Sequence, residues 1–156
     1  MKKILKKKTI LVIEDERALL DVVNNRLVKK GFSVMTARSV DEVFNASLEE
    51  QGFGVIAAIS IKQALEHLED LEKIDAIWLD HNLLGKENGI HFVKKLKANG
   101  GRWKSIPIFV ISNTEKSDTI KSYINLGISK YYIKSNHKLD EVIKDIDTTL
   151  DKKITR

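Results

Sequence analysis

A chain of 156 residues, 42% hydrophobic and 31% charged, has the length of one domain around one core and the make-up of an ordinary globular protein. It has no cysteine, which excludes disulfides, thiol chemistry and cysteine-ligated zinc, and no apolar run reaches the length of a membrane span. The net charge is +5, and five lysines fall in the first eight residues without the apolar stretch or cleavage site of a secretory signal.

That basic lead-in (1–8) has a charge that nucleic acid or anionic lipid would attract. A solvated approach to the first strand is the favoured reading, since no ribonucleoprotein aromatic motif or zinc-finger spacing accompanies it. A cytoplasmic location is the default, with neither membrane insertion nor direct nucleic-acid binding expected.

The first element is Thr9-Ile10-Leu11-Val12-Ile13, an apolar run rich in β-branched residues that predicts a buried parallel strand. It ends in Glu14-Asp15-Glu16. Arg17 to Val28 then carries apolar residues at helical spacing, and Gly31 stands where a helix would stop. A strand over Phe32 to Ala37 and a helix from Val40 to about Glu50 follow.

The next segment repeats the previous one. Gly31-Phe32-Ser33-Val34 to Val40 recurs 21 residues later as Gly52-Phe53-Gly54-Val55 to Ile61, and Val43 and Phe44 are answered by Ala64 and Leu65. Two strand–helix units, about 31–50 and 52–72, therefore stand in tandem. Either the second adds a sixth parallel strand at the second-strand edge, or one copy packs outside the sheet as helix and loop. The apolar run Val55 to Ile59 favours the added strand.

A second buried run, Asp75 to Leu79, ends in Asp80, ahead of a glycine-containing loop over Leu84 to Gly89. Ile90 to Ala98 is an amphipathic helix with Phe92, Val93 and Leu96 inward, closed by Asn99-Gly100-Gly101. Pro107 to Ile111 ends in Ser112; Glu115 to Leu126 is a helix closed by Gly127; Tyr131 to Ile133 ends in Lys134. The last helix, Leu139 to Lys152, has one stripe of Leu139, Val142, Ile143, Ile146 and Leu150. Strand and helix alternate throughout, which predicts an α/β sheet with right-handed crossovers. Ligands of such open parallel sheets bind at the carboxyl edge, where these polar residues would meet.

The order and types of these residues resemble the receiver domain of two-component response regulators, over about Lys8 to Leu150. The resemblance implies a flavodoxin-like, doubly wound parallel sheet of five strands, here with the extra unit at about 52–72. The span between the acidic cluster and Asp80 is about twenty residues longer than the family pattern. It implies that the whole chain, 1–156, is one stand-alone receiver signalling through a partner protein, not an enzyme.

By this resemblance Asp80 is the phospho-acceptor, receiving its phosphoryl group from a sensor histidine kinase or phosphotransfer protein. A carboxylate nucleophile needs no general base, but its charge opposes the incoming phosphoryl group, and a divalent metal relieves that repulsion. The expected metal is Mg2+, held by Asp15 directly, Glu14 through water, Asp80 and the backbone carbonyl of Asn82. Ser112 is the switch hydroxyl, Lys134 the ammonium that pairs with a phosphoryl oxygen, and Tyr131 the aromatic that moves with the hydroxyl, with Tyr132 beside it as a competing assignment. Glu16 is expected only to favour the start of the following helix. A second copy of the chain is a candidate partner, through the last helix or an exposed strand edge.

Several positions depart from the family. Ser135 stands where a proline usually follows the lysine, Leu84 replaces another usual proline, and Asn113 is bulkier than the common small residue. Ser135, Leu84 and the inserted unit motivate an alternative, a receiver-like interaction module that works without phosphorylation, while Asn113 bears on water access to the phosphoryl group. A phosphohydrolase with an aspartate nucleophile is disfavoured because Asn82 stands where a second aspartate would act. A dinucleotide site is disfavoured because Glu14-Asp15-Glu16 replaces the glycine-rich turn.

Overall fold

The computed structural model describes residues 8–14, 16–34, 57–58, 74–82, 88–98 and 103–154. Its strands are β1 (Thr9–Ile13), β2 (Ser33–Val34), β3 (Ala57–Ala58), β4 (Ala76–Leu79), β5 (Ile108–Ser112) and β6 (Lys130–Ile133). The described helices are α1 (Arg17–Lys29), α2 (Gly89–Lys97), α3 (Ser117–Asn125) and α4 (Leu139–Ile154), with a 3-10 turn at Lys134–Asn136. All strand pairs are parallel, in the order β2-β1-β4-β5-β6 with β3 also on β1.

The sheet is covered on both faces, as the unbroken apolar strands require. On one face Ile10, Val12, Trp78, Phe109 and Tyr132 pack with Leu20, Val23 and Leu27 of α1 and with Val142, Ile143 and Ile146 of α4. On the other, Leu11, Ile13, Ile77, Leu79 and Val110 pack with Phe92, Val93 and Leu96 of α2 and Tyr123 of α3. The period of two along β1 thus sends alternate residues to opposite helix layers. Helix ends follow their local chemistry. Gly31 and Gly127 adopt positive φ (96° and 85°) just beyond α1 and α3. Asn88 caps α2, its side chain accepting from the backbone N–H of Ile90 and of His91.

The repeated segment departs from expectation in one respect. A strand does form in the second copy, but β3 pairs with β1 and not outside β2. Thr9 and Ile10 pair with Ser33 and Val34, while Val12 and Ile13 pair with Ala57 and Ala58. β4 occupies the other edge of β1 over Ile10 to Ile13, so β2 and β3 divide a single edge between them. They also share one register frame. Extending the β2 pairing would set position 36 opposite Val12, and Ala57 lies one 21-residue period beyond 36. The remainder of both units, including the expected helices at 40–50 and within 52–72, lies outside the described residues.

Candidate functional site

The register of the sheet places the polar residues before any side chain is considered. Ile13 pairs with Leu79, so Glu14 and Asp80 leave the sheet at the same level. The backbone N–H of Asp80 also donates to the carbonyl of Ile13 at 3.0 Å, tying the two strand ends together. Ser112 pairs with Ile133, so Lys134 emerges immediately beyond Ser112 on the neighbouring strand.

Glu14, Asp80 and Ser112 are the buried polar residues of this rim, and Glu14 is 0% exposed. Lys134 lies between the two acids. Its Nζ donates to Glu14 Oε2 at 3.1 Å and to Asp80 Oδ2 at 3.3 Å. The other oxygens are also engaged: Glu14 Oε1 accepts from the N–H of Glu16 at 3.2 Å, and Asp80 Oδ1 from the N–H of Asn82 at 3.3 Å. Ser112 Oγ accepts from the N–H of Thr114 at 3.2 Å, which leaves its own proton available to an acceptor.

Burial, and next the neighbouring Asp80 charge, push the Glu14 carboxyl up to about 7 against the pull of Lys134. Burial works to lower Lys134, but the charges of Glu14 and Asp80 and its hydrogen bonds to them prevail, and its ammonium is stabilised overall. The folded state therefore holds a proton on Glu14 across a range in which the unfolded chain, near 4.5, has released it. By linkage, metal-free stability falls as pH rises from about 4.5 to about 7. Glu14→Gln is expected to remove about 3 kcal/mol of that slope. Urea midpoints at the two ends of the range, in chelator, measure it; equal slopes in both proteins would refute the assignment.

The two tyrosines that compete in sequence separate in structure. Strand alternation sends Tyr131 to the α2–α3 layer, where its hydroxyl donates to the carbonyl of Thr114 at 2.8 Å. Tyr132 faces the α1–α4 layer, and its hydroxyl donates to Asp145 at 2.9 Å. Only Tyr131 thus reaches the Ser112–Thr114 turn. The Lys134–Ser135 bond is trans, as are all peptide bonds of the described residues. Glu16 caps the start of α1 but makes no side-chain cap bond. Asp15 and the loop from 83 to 87, Leu84 included, lie outside the described residues. Ser135 and Asn113 are exposed.

Two further residues join the site that the sequence did not single out. His81 Nδ1 lies 2.7 Å from the hydroxyl of Tyr123, a fully buried residue of α3. The available signal was a tyrosine at an inward helical position, where a buried hydroxyl needs a partner.

The donor set suits a hard cation. With both acids ionised, two carboxylates face one ammonium in a buried place, leaving it one positive charge short, and the donors are hard oxygens that match Mg2+. Among the described residues no group of three acidic, His or Cys side chains converges, so Glu14 and Asp80 would be joined by the Asn82 carbonyl and Asp15.

A family model described as the response regulator receiver domain matches residues 38–147, a span with Asp80, Ser112 and Lys134 but not Glu14. No curated protein matches. Among solved structures the chain is similar to a CheY-like receiver domain protein from Methanospirillum hungatei (17% identity, 96% of this chain and 98% of that one, TM-score 0.71). It is also similar to the phosphorylated cyanobacterial phytochrome response regulator RcpA (20%, 92% and 91%, TM-score 0.64). A third is the Mn(2+)-bound form of response regulator Rcp1 (22%, 90% and 90%, TM-score 0.63).

Proposed function

The chain belongs to the response regulator receiver domain family, and from that premise we propose that it is a phospho-acceptor of two-component signalling whose acceptor is Asp80. One observation carries this reading: at the carboxyl edge of the parallel sheet, Lys134 joins the buried carboxyls of Glu14 and Asp80 beside the hydroxyl of Ser112.

A carboxylate oxygen of Asp80 attacks the phosphorus of a phosphohistidine on a sensor kinase or phosphotransfer protein. The new O–P bond forms as the N–P bond breaks, and the electron pair stays on the imidazole. Lys134, already within hydrogen-bonding distance of Asp80, follows the negative charge onto a phosphoryl oxygen. Ser112 turns its hydroxyl proton to another. Glu14, Asp15, Asp80 and the Asn82 carbonyl would hold a Mg2+ whose charge would offset the repulsion between the carboxylate and the phosphoryl group. The low net cost of these moves comes from exchanging one set of charge-assisted bonds for another.

The altered charge shifts the surface around β5, α3 and β6, the segments that carry Ser112 and Tyr131, and a partner protein reads that surface. Such a partner and kinase place the protein in the cytoplasm. No helix among the described residues is long and apolar enough to cross a membrane. We read residues 1–156 as one receiver unit.

Intact mass after incubation with Mg2+ and a small phosphodonor tests the reading. One phosphoryl adduct is expected on the wild type and none on Asp80→Asn. No adduct on either protein, together with no Mg2+ binding by titration, would overturn it in favour of a phosphorylation-independent module.

A further inference from the structure

Beneath the acceptor a second set of contacts links β4 to α3 and β6. Tyr123 has no exposed surface and packs against Leu79, Phe92 and Val93. Its hydroxyl meets His81 Nδ1 at 2.7 Å, and the two rings are edge-on at 5.6 Å between centroids. His81 directly follows Asp80. The same hydroxyl lies over Gly89, where an added Cβ would come within 2.3 Å of it and within 3.2 Å of the Asp80 carbonyl. Gly89 in turn donates its N–H to the carbonyl of His81 at 3.2 Å. The first turn of α2, the acceptor turn and the phenol of Tyr123 are thus fitted together with no room for a methyl group.

The other side of Tyr123 faces the switch residues. Its ring lies 5.7 Å from that of Tyr131. Tyr131 donates to the carbonyl of Thr114, whose N–H is held by Ser112 Oγ. A continuous path of contacts therefore runs Asp80–His81–Tyr123–Tyr131–Thr114–Ser112, entirely through described residues and separate from the direct bridge made by Lys134.

We propose that Tyr123 is a positioning residue for the acceptor. Its hydroxyl fixes the turn that carries Asp80 and Asn82, and its ring couples that turn to the placement of Tyr131. The inference rests on Asp80 being the phospho-acceptor. A tyrosine here does what phenylalanine cannot: the ring fills the core, and the hydroxyl supplies a polar contact to the His81 imidazole. Losing that contact leaves the core intact but frees the acceptor turn, so attack geometry suffers more than donor binding.

The test uses the full chain with Mg2+ and a small phosphodonor, following the phosphorylation rate against donor concentration. Tyr123→Phe is expected to lower the saturating rate constant about fivefold, the weight of one neutral hydrogen bond, and to leave the half-saturating donor concentration unchanged. His81→Ala should match it, and the double variant should lose no more than either single. His81→Asn, whose Oδ1 can accept from the phenol near the position of Nδ1, should recover most of the rate. Fluorotyrosine NMR with beryllofluoride as the phosphoryl mimic supplies a second readout, in which Tyr131 should shift less in Tyr123→Phe than in the wild type. Wild-type rates and shifts in Tyr123→Phe would overturn the inference while leaving the acceptor reading in place. His81→Ala, on a half-buried side chain, decides the matter if Tyr123→Phe folds poorly: a wild-type rate there refutes the coupling. A wild type that takes no phosphoryl group and binds no Mg2+ would overturn the acceptor reading and this inference together.

Discussion

Lys134→Ala is expected to slow phosphoryl transfer to Asp80 by at least a hundredfold and to destabilise the metal-free protein in a pH-dependent way. The kinetic loss follows from removing a preorganised cation from the place where charge arrives, a change that typically costs two to three orders of magnitude. The stability loss follows from the bridge itself. Lys134 is the only cation that contacts the buried Glu14 and Asp80 among the described residues. Removing one partner of a buried pair leaves an uncompensated charge, at a cost of about 3 kcal/mol or more.

Protonation limits that cost. Glu14 already sits near 7 with Lys134 present, so its loss drives the carboxyl higher still and the variant takes up a proton instead of holding a bare charge. The destabilisation should accordingly be small near pH 5 and grow through neutrality, as the proton becomes harder to retain. Lys134→Arg separates the two effects. It keeps the charge, and with it most of the stability. It does not keep the compact ammonium, so transfer remains slow. Urea midpoints at several pH values and phosphorylation rates on the three proteins check this. A Lys134→Ala protein with wild-type rates would remove the lysine from the chemistry.

The sequence was most legible where a single physical rule acts locally. Apolar runs ending in Glu14, Asp80, Ser112 and Lys134 mark strand ends, and a parallel sheet brings strand ends to one rim. Helical periodicity found the buried stripes of α2 and α4, and Gly31 and Gly127 stand at the positive-φ ends of α1 and α3. What the sequence could not supply were pairings across long separations. An inward Tyr123 signals that its hydroxyl needs a partner, but nothing local says that the partner is His81, 42 residues away. The choice between Tyr131 and Tyr132 also needed the third dimension, because alternation separates neighbours but does not say which layer each one meets.

The duplicated unit shows a related limit. Strand pattern reports which faces are apolar, but says nothing about which edge a strand will join. The repeat predicted a second strand, whereas its position beside β2 on the same edge of β1 depended on that edge having room for two residues from each copy. The shared register then has a consequence for length. Each copy brings enough residues to pair with all of Thr9 to Ile13, so a chain with one copy should be able to complete the edge alone.

Deleting residues 35–55, one full 21-residue period, joins Val34 directly to Ile56. The new run Ser33-Val34-Ile56-Ala57-Ala58 keeps all four observed partners and sets Ile56 opposite Leu11. This variant is expected to fold cooperatively, to accept a phosphoryl group on Asp80 like the wild type, and to unfold at a higher urea concentration. The gain arises because a connection of some twenty residues no longer has to be closed, a term worth on the order of 2 kcal/mol before the contacts of the deleted residues are counted against it. Deleting one residue more or one fewer is the control. Either change turns the apolar side chains beyond the junction to the opposite face of the sheet, so both variants should lose the gain and fall below the wild type. If the in-frame deletion is as damaged as the out-of-frame ones, the first copy is needed for something other than the edge of β1, and the shared register is a remnant of duplication without structural consequence.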